Sequence, residues 1–150
     1  TRKMALELYA VREVLEGLSA RLGADQATTE TIRKMENCLS RQEINVQEED
    51  PVGYSRADHE FHLSIYEACG NELLKETLEG LRYKARPLAF RLMPYLNEFL
   101  GFHREILRAF RSKDPQAAED AIRRHDRRMI EIIKMTDWGI EEEPEAKAGT

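Results

Sequence analysis

Cysteines, long hydrophobic runs and glycine-rich loops are scarce or missing in this chain of 150 residues. Its two cysteines, Cys38 and Cys69, fall within predicted helices and are too few for a disulfide framework, which favours a reducing, intracellular environment. No apolar run approaches the roughly 20 residues of a transmembrane helix, and the start has no signal-peptide pattern. No glycine-rich phosphate loop is found either. We therefore expect a cytoplasmic protein without a membrane partner.

An excess of positive charge is also lacking, because the formal net charge is -5. Phosphate contacts need a basic face, so this segment is not expected to bind nucleic acid, and any DNA contact must come from elsewhere. Strand-type alternation and internal repeats of roughly 20 to 50 residues are missing as well. A chain of this length predicts one domain with one core, which buries roughly 70% of its unfolded surface.

Apolar residues recur at helical spacing along most of the chain, which predicts an all-α fold with six or seven helices. The predicted helices run from about Arg2 to Leu22, from Thr28 or Thr29 to about Gln47, from Pro51 or Ser55 to Gly70, onward from an Asn71 cap, from about Tyr95 to Arg111, and from an Asp114 cap to about Thr136. Gly23 is the predicted stop of the first helix. Pro87 predicts a kink or break in the fourth helix near Tyr83 to Pro87.

The folded domain is predicted to span residues 1–137. Residues 138–150 form an acidic tail that we expect to be disordered.

The stretch SRADHEFHLSIYEACGN places a carboxylate and an imidazole four residues apart on the third predicted helix. Asp58 and His62 therefore share a face, and Ile65 and Cys69 continue the same apolar stripe toward the interior. His103 and His125 also lie on the apolar stripes of their own helices. Buried polar groups need partners, and a divalent metal is the simplest group that satisfies all four. Zinc is the first expectation, with nickel, manganese or iron as alternatives.

Local patterns separate this candidate site from other histidine motifs. A single inward histidine is usually a hydrogen-bonded core residue, but three of them with an aspartate reverse those odds. His59 falls on the other side of its helix and is left out as a surface or supporting residue. The histidines of HEFH are three residues apart, so the string is not a zinc-protease motif. No glutamate precedes any of the inward histidines by three residues, which excludes a di-iron carboxylate bundle.

Arginines are the candidates for binding an anion beside the metal. Arg12, in YAVREVLEG, has mostly apolar surroundings and suits a bidentate grip on a carboxylate. An ion pair between Arg12 and Glu16 on a solvated face is an equally good interpretation. Arg82, Arg86 and Arg91 are weaker candidates, for which surface charges are the simpler explanation, and Arg86 is the best of the three. Beyond the ligands, no second inward acid is evident on the helical stripes.

The order of YAVREVLEG, DHEFHLSIYEACGN and FHREILRAFRSKDPQAAEDAIRRH resembles the FCD effector-binding domain of FadR-subfamily GntR transcriptional regulators. The resemblance covers about Leu6 to Met135. It implies an antiparallel helical bundle that dimerises and holds a divalent metal through Asp58, His62, His103 and His125. It also implies that the metal and Arg12 bind a small organic carboxylate, which alters DNA binding by an N-terminal winged-helix domain that these 150 residues do not contain.

The resemblance leads to an expected function and leaves two alternatives. We expect an effector-sensing domain that is not an enzyme and that forms a homodimer. The sequence adds to the dimer expectation only that the first and fourth helices have more apolar positions than one buried face needs. A metal-dependent hydrolase is one alternative, and a structural helical adaptor without a metal is the other.

Overall fold

A computed structural model describes residues 1–136, apart from the side chains of residues 87–91. The acidic tail at 138–150 and the Arg91 side chain lie outside the described residues, so the expectations for them stay predictions. The described part is all-α. Its elements are α1 (Arg2–Gln26), α2 (Thr29–Gln47), α3 (Pro51–Ala68), α4 (Glu72–Ala85), a 3₁₀ segment (Arg86–Tyr95), α5 (Leu96–Arg111) and α6 (Pro115–Met135).

Side-chain caps begin four of these helices, and the sequence predicts three of them, at Thr28, Asn71 and Asp114. Thr28 caps α2 in a capping box with Thr31. Asp50, Asn71 and Asp114 each accept a hydrogen bond from the backbone N–H three residues later, at the starts of α3, α4 and α6. These contacts are local, which is why single residues were sufficient to predict three of the four.

Gly23 does not end α1, which continues three residues further, to Gln26. A Cβ at Gly23 would lie 3.1 Å from the Ile65 carbonyl oxygen and 3.1 Å from the Phe110 ring. The glycine therefore allows α1 to approach α3 and α5 closely, and it does not act as a C-cap. The predicted break near Pro87 is confirmed, because α4 ends at Ala85 and a 3₁₀ segment follows.

Helix packing positions the interior polar groups. α1 lies along α6 and also contacts α3, α4 and α5, while α2 packs on α3 and α5. The larger apolar core has buried residues from all six α-helices, with Phe61, Ile65 and Phe110 fully buried. A smaller cluster around Tyr9, Phe99 and Met129 lies toward the other end of the bundle. No helix within residues 1–136 is long and apolar enough to cross a membrane.

Candidate metal centre

Asp58, His62, His103 and His125 come together from α3, α5 and α6, as their places on the apolar stripes predict. One candidate ligand atom from each lies within 4.8 Å of the others. The Oδ1 atom of Asp58 is 3.3 Å from Nε2 of His103 and 3.6 Å from Nε2 of His62. The three imidazole rings are buried, and their centroids are 5.1–5.4 Å apart. Three imidazoles and one carboxylate are a common ligand set for a divalent transition metal.

Each histidine is oriented through its Nδ1 atom by a different buried residue. Nδ1 of His62 lies 3.0 Å from Oε2 of Glu16, Nδ1 of His103 lies 2.8 Å from Oε1 of Gln42, and Nδ1 of His125 lies 3.0 Å from Oδ1 of Asp126. This arrangement leaves Nε2 of each ring to face the centre. The Nε2 atoms of His62 and His103 are buried with no hydrogen-bond partner among the described residues. The residues present therefore fit a metal, because an ion would satisfy these nitrogens.

The electrostatics of the centre favour neutral imidazoles at two positions. Burial lowers the pKa of His103 well below its ordinary value. Burial, with help from His62, lowers the pKa of His125 to about 3. For His62, burial and Arg82 lower the pKa, but Glu16 and Asp58 outweigh them and the net pKa is raised. His103 and His125 are thus unprotonated near neutral pH, which is the form that binds a metal.

Glu16 is one of three histidine partners that the sequence analysis did not recognise, and it links the centre to Arg12. Its Oε1 atom accepts hydrogen bonds from Nε and Nη2 of Arg12, at 3.0 and 2.6 Å, and from the hydroxyl of Tyr66 at 2.9 Å. Burial raises the pKa of Glu16, but Arg12, His62 and Arg82 lower it well below its ordinary value. Glu16 is therefore a buried carboxylate with both oxygens occupied.

The predicted Arg12–Glu16 pair is thus present, but its predicted place on a solvated face is wrong. Arg12 and Glu16 are both buried, because α6 and α3 cover that side of α1. The statement that no second inward acid exists is also wrong, since Glu16 and Asp126 are both fully buried. The available signal was the spacing of Tyr9, Arg12 and Glu16, which lie three and four residues apart and so share one side of α1.

Asp126 and Gln42 were missed for similar reasons. Burial and the nearby Glu16 charge raise the pKa of Asp126 to about 8, so this acid holds its proton near neutral pH while Glu16 stays ionised. Gln42 is fully buried on α2, three residues after the buried Leu39. Nothing in either residue type marks it as a histidine partner without the distances between helices.

Arg82 is the arginine nearest to the candidate ligands, which corrects its interpretation as a surface charge. Its Nη2 donates a hydrogen bond to Oδ2 of Asp58, its Nη1 lies 3.9 Å from Oε1 of Glu16, and only 11% of its side chain is exposed. Arg86 is exposed, with its guanidinium 5.9 Å from the centroid of the Tyr83 ring. His59 is exposed as predicted and is outside the four-residue cluster.

A cavity of about 570 Å³ opens beside the centre, a size usual for small-molecule sites. Asp58 and His125 of the cluster line its inner end, together with Arg12, Arg82 and Tyr54. The hydroxyl of Tyr54 and Nε of Arg82 are buried without a hydrogen-bond partner among the described residues. Two unsatisfied donors beside a candidate metal centre suit an anionic or hydroxylated ligand.

Together these features define a class, an all-helical ligand-binding domain with a histidine–aspartate cluster at the inner end of its cavity. Residues 7–128 match the FCD domain family, and the chain belongs to that family. It is 32% identical to the Uxu operon transcriptional regulator of Escherichia coli K12 in an alignment 143 positions long that covers 87% of this chain and 56% of that protein. The chain thus spans about half the length of this curated relative.

Solved structures of other regulators share the fold. The structure of Streptococcus agalactiae GntR superposes with a TM-score of 0.75 at 27% identity, covering 86% of this chain and 59% of that one. E. coli McbR/YncC superposes with a TM-score of 0.77 at 19% identity, covering 85% and 66%, which supports the fold alone. The relatives are transcriptional regulators and not enzymes, which favours a regulatory domain over the hydrolase alternative.

Proposed function

We propose that this domain senses a small organic carboxylate through a divalent metal held by Asp58, His62, His103 and His125. The observation that carries the proposal is the convergence of these four side chains, with each imidazole anchored at Nδ1. Zinc is the first candidate, with nickel, manganese or iron as alternatives. A bound divalent ion supplies a positive charge that attracts a carboxylate.

Arg82 is a better candidate than Arg12 for direct contact with that anion. Nε and Nη2 of Arg12 already donate to Glu16, whereas Nε of Arg82 and the Tyr54 hydroxyl have no partner among the described residues. All three line the inner cavity. Arg12 then contributes by holding Glu16, which orients His62, and by adding positive charge nearby.

The ligand's effect on DNA binding belongs to the whole protein and is part of this proposal. The relatives are longer regulators, of which this chain covers 56% and 52%. The chain has a net charge of -5, so a separate winged-helix domain is the element that would contact DNA. A cytoplasmic location agrees with such a role.

A thermal-shift screen of organic acids on metal-loaded protein tests the proposal. We expect some carboxylates to raise the melting temperature, because a ligand that binds only the folded state stabilises it by mass action. The shift should vanish after chelation and in the Arg82→Gln variant. Arg104→Gln is the matched control, since this exposed arginine of α5 pairs with Glu43 away from the cavity. Shifts that persist after chelation and in Arg82→Gln would place the anion site elsewhere.

The homodimer is proposed through an apolar face of α1. Residues on this face alternate at spacings of four and three, the pattern of a helix seam that packs against another helix. The members are Met4, Leu8, Val11, Leu15, Leu18 and Leu22. Met4, Val11 and Leu18 are 66%, 50% and 42% exposed, so the monomer leaves half of this seam in solvent.

Val11→Glu together with Leu18→Glu should convert a dimer to a monomer, because two charges would be buried without partners in the interface. Light scattering after gel filtration at micromolar concentration measures this change. Ile44→Glu, at an exposed apolar position of α2, is the control and should leave the mass unchanged. A monomeric wild-type domain would contradict the proposal.

A further inference from the structure

The mouth of the cavity carries more positive than negative charge. At the inner end, Arg12 is paired with Glu16 and Arg82 with Asp58. Two more arginines line the cavity, Arg56 and Arg86. Neither is within 4.0 Å of a carboxylate in the described part of the chain.

Exposed arginines elsewhere on the surface are mostly paired, so the two at the mouth differ from their counterparts. Five exposed arginines lie within 4.0 Å of a glutamate oxygen: Arg33, Arg104, Arg111, Arg124 and Arg127. Glu60, one helical turn after Arg56, is bound to Arg41. Acidic residues outnumber basic ones in the whole chain. At the cavity mouth the balance is reversed, because two arginines line it with one acid, Glu79.

His59 is an exposed imidazole beside the arginines of this cavity. It lines the same cavity, and its pKa is lowered first by partial burial and then by Arg82, His62 and Arg86, against the opposite effect of Asp58. Arg82 near the metal centre and Arg56 and Arg86 at the mouth line one cavity, so an anion with two charged groups meets a guanidinium at each end.

We propose that the ligand is an organic acid with two anionic groups, one at the metal centre and one at the mouth beside Arg56, His59 and Arg86. The placement of the first anionic group at the metal centre rests on the proposed function. The placement of the second group at the mouth rests on the unpaired arginines. A cavity of about 570 Å³ has room for a five- or six-carbon chain between the two groups and is too large for a two-carbon acid to fill.

Calorimetric titration of metal-loaded protein with matched acid pairs tests the proposal. The pairs are gluconate with glucarate and pentanoate with glutarate, in which the second acid adds only a terminal carboxylate. In at least one pair the diacid should bind at least about tenfold more tightly than the monoacid, because it gains a charge-assisted contact to arginine. In the double variant Arg56→Gln, Arg86→Gln, this ratio should fall to about twofold or less, while binding of the monoacid changes little.

The double variant Arg33→Gln, Arg108→Gln is the matched control, because both side chains are exposed and outside this cavity. It should keep the wild-type ratio. Equal affinities in both pairs, no binding by either diacid, or an unchanged ratio in the cavity double variant would each overturn the proposal. Binding of a monoacid that requires the metal would still support the proposed function, so the two failures are distinguishable.

Discussion

Replacing His103 with alanine should lower metal affinity by more than about 100-fold, since loss of a ligand exceeds the 10- to 100-fold effect of removing a residue that orients one. The Nε2 atom of His103 lies in the centre, and no other described side chain occupies its place. In this variant the rise in melting temperature on metal addition should also disappear, because an ion stabilises the protein only by binding the folded state. Elemental analysis and thermal melts of protein without a histidine tag measure both effects.

His59→Ala is the matched control for this experiment, because it removes an imidazole from α3 that is exposed and outside the cluster. It should leave metal affinity unchanged, while His62→Ala and His125→Ala should resemble His103→Ala. If the wild-type protein takes up no metal after soaking with divalent ions, the structural adaptor becomes the better interpretation. If His59→Ala also loses the metal, the proposed ligand set is wrong.

Glu16→Ala should lower the free energy of unfolding by about 3–5 kcal/mol, the usual effect of removing one partner from a buried ion pair. The change leaves the buried Arg12 guanidinium without its carboxylate, and it removes the acceptors of His62 and Tyr66. Chemical denaturation of the metal-free protein measures it. Glu7→Ala is the control on the same helix, because Glu7 forms only an exposed pair with Lys3 and should change stability little.

Glu16→Gln separates the charge of Glu16 from its shape. The amide keeps one acceptor, but it cannot balance Arg12 or hold the His62 ring as a carboxylate does. We expect metal affinity to fall by about 10- to 100-fold in this variant, as for other residues that orient a ligand. A variant that is as stable as Glu7→Ala and binds metal normally would show that Glu16 neither balances Arg12 nor positions His62.

The apolar residues of α1 show what local periodicity can predict and what it cannot. Spacing predicted the helix correctly, but it could not separate residues that pack inside from those that stay exposed. Tyr9 is buried, while Val11 and Val14 are half exposed, although all three belong to the same apolar pattern. Which side of α1 is covered depends on where α6 and α3 lie, and that is a property of the assembled bundle.

The sequence by itself determined the all-α class, three of the helix caps and the inward faces of Asp58, His62, His103 and His125. These features follow from interactions within about one helical turn, or from the 3.6-residue period of a helix. Only the tertiary structure decided that Glu16, Gln42 and Asp126 orient the imidazoles and that Arg82 is bound to Asp58. Three of these four contacts join residues 24 to 61 positions apart. Hydrogen bonds between helices depend on distances that no spacing along a single helix contains.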